Sequence, residues 1–341
     1  MKKIKNKLVL AVSCFVLALL YSCSNWTDLE SIEVKTPNIT NQTPELYAKY
    51  LQNLVAYKND PDHKIVYAWF DNSEKKPFNR AQHITELPDS IDFIVLMYPD
   101  SLADFEKEEI QKVRKEKNTK VIYSINYESI KQVFEDRVIK QTPDSDFISF
   151  MVDTLQHALN IADEYQYDGI SIAYKGKSVQ YMTDAEKRLY IANEKTFIGM
   201  ISTWYSRHQE KILVFEGKPE NMVDKNILEQ CKNILLPVNA VTNESLFNYT
   251  LEMSMADGVP VDRFGIIATT TSLDTSDKKT GYLADGKTLL LPASAEWIIS
   301  AHSSFKISGF GIYNTNNDYY NPGMVYKYAR NAISTINPSI K

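Results

Sequence analysis

Forty-three acidic against 38 basic side chains give this 341-residue chain a formal net charge of -5. An acidic surface does not attract phosphate backbones, so nucleic acid is not expected as a partner. Three cysteines (Cys14, Cys23, Cys231) and five histidines (His63, His83, His157, His208, His302) are scattered without metal-ligand spacing, so no metal, no cofactor and no disulfide framework are expected.

The N-terminus reads as an export signal. Lys2, Lys3, Lys5 and Lys7 make a positive start, and the apolar run Leu8 to Leu20 is too short and one-sided for a span of the finished protein. Leu20-Tyr21-Ser22-Cys23 resembles a bacterial lipoprotein cleavage box, in which Cys23 becomes the lipid-carrying residue once residues 1–22 are removed; plain secretion with an incidental cysteine is the alternative. That removal takes four lysines and no acids, moving the formal charge from -5 to -9. Residues 23–43 are polar and read as a tether. With no Ser/Gly/Pro-rich linker beyond them, residues 44–341 read as a single domain that begins with a helix over 44–57.

Lys64 to Phe70, Ile91 to Met97 and Val121 to Asn126 are short, nearly continuous apolar runs, as strands covered on both faces must be. A cap-like Ser101 introduces a charged helix over about 102–117. Thr142-Pro143 predicts an N-cap and first helical turn, after which Phe147, Met151, Leu155, Leu159 and Ala162 recur on one face. This helix feeds a fourth strand, Asp168 to Lys175, where alternation puts Gly169, Ser171, Ala173 and Lys175 on one side. Thr183 and Glu186 form a capping box for a helix to about Arg207. Lys211 to Glu216 is strand five, Asn226 to Gln230 a short helical turn, and Asn233 to Val238 strand six, with Pro237 confined to its end. A helix over about 243–256, a strand over Arg263 to Thr269, a helix over 292–302, a strand over Ile307 to Tyr313 and a helix over 323–333 complete the chain. Strands alternating with helices, without a glycine-rich phosphate turn, predict an α/β fold of the (β/α)8 TIM-barrel type.

In such a barrel the functional groups gather at the C-terminal strand ends. Those ends offer Trp69, Asp71, Tyr98, Asn126, Tyr174, Lys175, Glu216, Asn239 and Tyr313 as candidate ligand-binding residues. Aromatic faces pack on the apolar faces of sugar rings while amides and carboxylates meet hydroxyls, so this mixture suits carbohydrate.

The fourth strand is similar to the signature of glycoside hydrolase family 18, the chitinases and endo-β-N-acetylglucosaminidases, which reads Asp-Gly-x-Asp-x-Asp-x-Glu. Asp168-Gly169 keeps the opening pair, while the three carboxylate positions fall on Ser171, Ala173 and Lys175. Trp69-Phe70 at the first strand end and Tyr313 at the last, where the family usually has tryptophan, add to a resemblance over roughly residues 63–335; no tyrosine near Asn239 matches the family's strand-six tyrosine. In the mechanism that the resemblance implies, the glutamic acid protonates the glycosidic oxygen and the neighbouring aspartate holds the substrate N-acetyl group. An ammonium at Lys175 is no match for that acid, and a free amine there is a base. Ala173 cannot orient an acetamide, and Ser171 cannot share a proton.

The expectation is therefore a catalytically inactive lipoprotein that binds N-acetylglucosamine-containing glycans, either N-glycans or chitooligosaccharides, anchored through Cys23 at the outer membrane or cell surface. The resemblance to proteins of Bacteroidetes glycan-utilisation systems implies an outer-membrane importer and other surface lipoproteins as partners. Two alternatives stay open: a hydrolase using a relocated carboxylate, Glu216 or Asp71 (Asp184 and Glu194 being less well placed), and a scaffold that binds no sugar. Glu216 could equally pair with Lys175 as a structural ion pair.

Overall fold

The computed structural model describes residues 43–243, 245–300 and 304–338. The expected signal segment, Cys23 and the tether up to residue 42 lie outside the described residues, among which no helix is long and apolar enough to cross a membrane. After helix α1 (Pro44–Lys58), the elements run β1 (Ile65–Phe70), β2 (Phe93–Leu96), α2 (Asp104–Lys117), β3 (Lys120–Asn126), α3 (Tyr127–Val133), α4 (Phe147–Glu164), β4 (Gly169–Tyr174), α5 (Asp184–Tyr205), β5 (Ile212–Gly217), β6 (Ile234–Pro237), α6 (Ser245–Ser254), β7 (Phe264–Thr269), α7 (Leu290–Ile299), β8 (Ile307–Tyr313) and α8 (Lys327–Ile336). The eight strands pair in chain order, all parallel, and β1 closes on β8 with Ile65 opposite Gly309 and Ala68 opposite Ile312. This is the expected (β/α)8 barrel, and the chain from Tyr50 onward clusters as one unit.

Period-two alternation sorts each strand into two layers. Val66, Ala68 and Phe70, like Ile170, Ile172 and Tyr174, point outward into the layer shared with the helices. Tyr67, Trp69, Phe93, Val95, Ile122, Val214, Leu235 and Ile267 fill the barrel interior. Its lower end is plugged: Tyr67 stacks on Phe93 at 4.9 Å between ring centroids, and its hydroxyl donates to Asn233 Oδ1 at 2.7 Å. Within the barrel, among the described residues, space for a ligand is left toward the C-terminal strand ends.

Asp168-Gly169 is held by the barrel wall. Asp168 Oδ2 accepts from the Val121 N–H at 2.7 Å and from Arg114 Nε at 2.9 Å, tying the start of β4 to β3 and α2. A side chain at Gly169 would run into the backbone carbonyl of Ile212 on β5. The pair is thus required by strand packing, whatever chemistry occurs above it.

Several boundaries differ from the sequence expectation. α2 starts at Asp104 rather than after Ser101, with Glu106 Oε2 accepting from the Ala103 N–H at 2.7 Å. α4 is capped by Asp146, whose Oδ2 accepts from the Ser149 N–H at 2.8 Å, and not by Thr142. The Thr142 hydroxyl instead donates to the Val138 carbonyl, closing a helical stretch over Tyr127–Gln141 that the sequence reading left unassigned. The capping box at Thr183 and Glu186 and the short turn Asn226–Gln230 are as expected. α1 forms, but its apolar positions Leu46, Tyr50 and Val55 are exposed and only Leu54 is buried.

Candidate functional site

A pocket of about 590 Å³ opens at the C-terminal end of the barrel. Trp69, Asn126, Tyr174, Lys175, Glu216, Asn239 and Tyr313 of the expected binding residues line it. Trp69 and Tyr313 form its aromatic side, with ring centroids 6.2 Å apart and planes inclined at 46°. The Trp69 indole reaches this place because β8 has no side chain at Gly311, where a Cβ would stand 2.8 Å from Trp69 Cζ3. Burial and the nearby Glu216, Tyr98 and Asp71 push the Tyr313 hydroxyl above its ordinary pKa.

Glu216 is the last side chain on β5 before Gly217 and is half-buried. Enclosure by the barrel pushes its carboxyl up to about 7, although Ser124, Ser171 and the charge of Lys175 each pull it back. Neither serine hydroxyl makes a hydrogen bond of good geometry, and both are buried. The ion pair with Lys175 considered from sequence is not formed: no Lys175–Glu216 contact lies within salt-bridge distance among the described residues, and Lys175 is exposed.

Tyr174 lines the pocket as expected, but its side chain is tied into the helix layer. Its ring is buried in the helix layer, 5.2 Å from Tyr127 and 6.2 Å from Phe197, and its hydroxyl meets Glu194 Oε2 and the Tyr190 hydroxyl, each at 2.7 Å. It stands on the opposite face from Ala173 and contributes no ring to a sugar platform. Glu194 also accepts the Val223 and Asp224 N–H groups, which makes it a structural carboxylate. Asp71 and Tyr98 fall outside the pocket lining; Asp71 Oδ1 accepts the Ser73 N–H at 2.9 Å in an exposed turn. Asp184 is exposed in the first turn of α5.

Glu128 is a pocket residue that sequence reasoning missed. Its Oε1 accepts the backbone N–H groups of Lys175 at 2.9 Å and Gly176 at 3.0 Å, while its buried Oε2 has no hydrogen-bond partner. It follows the β3 end directly, and Asn126, which caps the next helix by accepting the Ser129 N–H, was the available signal.

On the inner face of β4 and just past its end, then, a serine, an alanine and a lysine stand where carboxylates would be needed for two-acid chemistry, and the pocket's carboxyls come from β5 and from the first turn of α3. The arrangement can accept hydroxyls and amides and stack a ring on Trp69 and Tyr313.

Residues 27–335 match the family model described as Glycoside hydrolase family 18, BT1044-like. No curated protein matches the chain. Among solved structures, a selenomethionine form of BT1044 carrying a glutamate-to-glutamine substitution is 17% identical, covers 89% of this chain and 96% of its own, and superposes with a TM-score of 0.59. The apo endo-β-N-acetylglucosaminidase from Cordyceps militaris is 14% identical over 85% of this chain and 96% of that one, with a TM-score of 0.56. A double variant of the same fungal enzyme in complex with fucosyl-N-acetylglucosamine-Asn gives 14%, 84%, 95% and 0.56. At these identities the structural likeness shows the fold.

Proposed function

Because the chain belongs to glycoside hydrolase family 18, in its BT1044-like group, we propose that it is an exported, lipid-anchored glycan-binding protein that has given up the family's acid chemistry. The observation that carries this reading is the inner face of β4, where Ser171, Ala173 and Lys175 replace the three carboxylates while Asp168-Gly169 below them is intact. Losing a positioned general acid alone costs about 10²- to 10⁴-fold in rate. The aromatic pair and polar rim of the pocket support binding of N-acetylglucosamine-containing glycans, with Cys23 as the lipid site at the outer membrane or cell surface and an importer and other surface lipoproteins as partners.

Calorimetric titration with chitooligosaccharides and with N-glycans, followed by product analysis after long incubation, is the test. Saturable binding of at least one class without cleavage is expected; absence of binding to both sinks the reading. A second reading, a hydrolase using Glu216, is favoured by a pocket carboxyl raised to about 7, a value suited to a general acid. Cleavage that disappears in Glu216→Gln would establish it in place of the first.

A further inference from the structure

Neighbouring strands bring three polar side chains together on the inside of the barrel. Ser124 on β3 is in register with Ser171 on β4, and one pleat higher Asn126, Ala173 and Glu216 follow one another across β3, β4 and β5. Ser171 is fully buried, and the buried hydroxyls of Ser124 and Ser171 make no hydrogen bond of good geometry, although both stand near enough to Glu216 to draw its carboxyl down. Native proteins rarely leave such groups unpaired, because burial without a partner costs stability. Ala173 contributes only a methyl group beside Glu216. Ser124, Ala173 and Glu216 all face the pocket.

Resting on the glycan-binding reading, we propose that Ser124, Ser171 and Glu216 form a hydrogen-bonding recess in the pocket floor that seats an uncharged carbonyl oxygen of the ligand, with Glu216 donating to it. A neutral carboxyl offers one donor and one acceptor, and a carboxylate only acceptors. Ionisation therefore removes the donor and sets a negative charge against the ligand oxygen. Among the described residues, the charged and titratable groups lining the pocket with Glu216 are Lys175 on the β4 side, Tyr313 on β8 and Glu128 at the β3 end, with Tyr123 and Tyr174 whose side chains pack in the helix layer; Asp71 and Tyr98 act on Tyr313. The β6 side contributes the neutral Asn239, and no histidine among the described residues lines the pocket.

Calorimetric titration of chitotetraose between pH 5.5 and 8.5 tests this. With a carboxyl titrating at about 7, the apparent Kd rises as the protonated fraction falls, by about thirtyfold between pH 6 and pH 8.5. Glu216→Gln, whose amide still donates, is expected to lose less than tenfold at pH 6 and to show no further loss at pH 8.5. Should that variant fail to fold by circular dichroism, Ser124→Ala/Ser171→Ala serves: removal of the two hydroxyls that draw the carboxyl down moves the midpoint of the loss to higher pH. Binding that is flat with pH in the unsubstituted protein, or a loss unchanged in Glu216→Gln, overturns the recess alone. Absence of chitotetraose binding at every pH overturns the recess, and the glycan-binding reading falls with it only if N-glycans fail to bind as well.

Discussion

Glu216 is a side chain whose environment works against its usual charge. Its carboxyl is raised to about 7 from 4.5, so between those values the folded protein holds a proton that the unfolded chain has released. Stability accordingly falls as pH rises through that window, by on the order of 3 kcal/mol, less whatever solvation the pocket allows. Glu216→Gln is expected to flatten this dependence and to be the more stable protein at pH 8. Urea unfolding of both forms at pH 5 and pH 8 checks it, and parallel shifts in their midpoints would count against the assignment. Glu216, Trp69 and Tyr313 were legible in the sequence because each is the last or next-to-last residue of a strand. Tyr174 lines the pocket too, but the outward direction of its ring was readable as well: a strand cannot turn adjacent residues to the same face, and Lys175 and Ala173 already claim the inner one.

At the scale of elements, the strands were readable because burial on both sides forces unbroken apolar runs, and β8 falls where the run predicts. The stretch Tyr127–Gln141 was not. It leaves β3 with no connecting loop, Asn126 serving as last strand residue and as helix cap, and a wider turn over Phe134–Val138 interrupts the 3.6-residue period by which a helix is recognised. Thr142-Pro143 has the composition of a helix start but closes the helical stretch before it, leaving Asp146 to open α4. Asp146→Ala should therefore cost about 1 kcal/mol, and Thr142→Ala distinctly less. Chemical denaturation of the two variants ranks them, and the reverse order would restore Thr142 as the cap.

For the whole molecule, closure makes the last strand indispensable. β8 pairs with both β7 and β1, so its removal opens two edges at once, and α8 leaves with it. A chain ending at Lys306 is expected to lose cooperative unfolding and become sensitive to trypsin within minutes; a retained sharp thermal transition would show that the remaining strands suffice. The barrel itself was legible from eight alternating units, but the depth of its cavity was not, since that depends on which small side chains meet across strands. One such meeting, the indole of Trp69 fitted against Gly311, has an optical consequence. Among the described tryptophans, Trp204 and Trp297 are packed in the helix layer, whereas Trp69 faces the interior. The cavity thus carries its own fluorophore, within the same space as a carboxyl that changes charge near neutrality, so emission from this single indole can report occupancy and protonation without any added label.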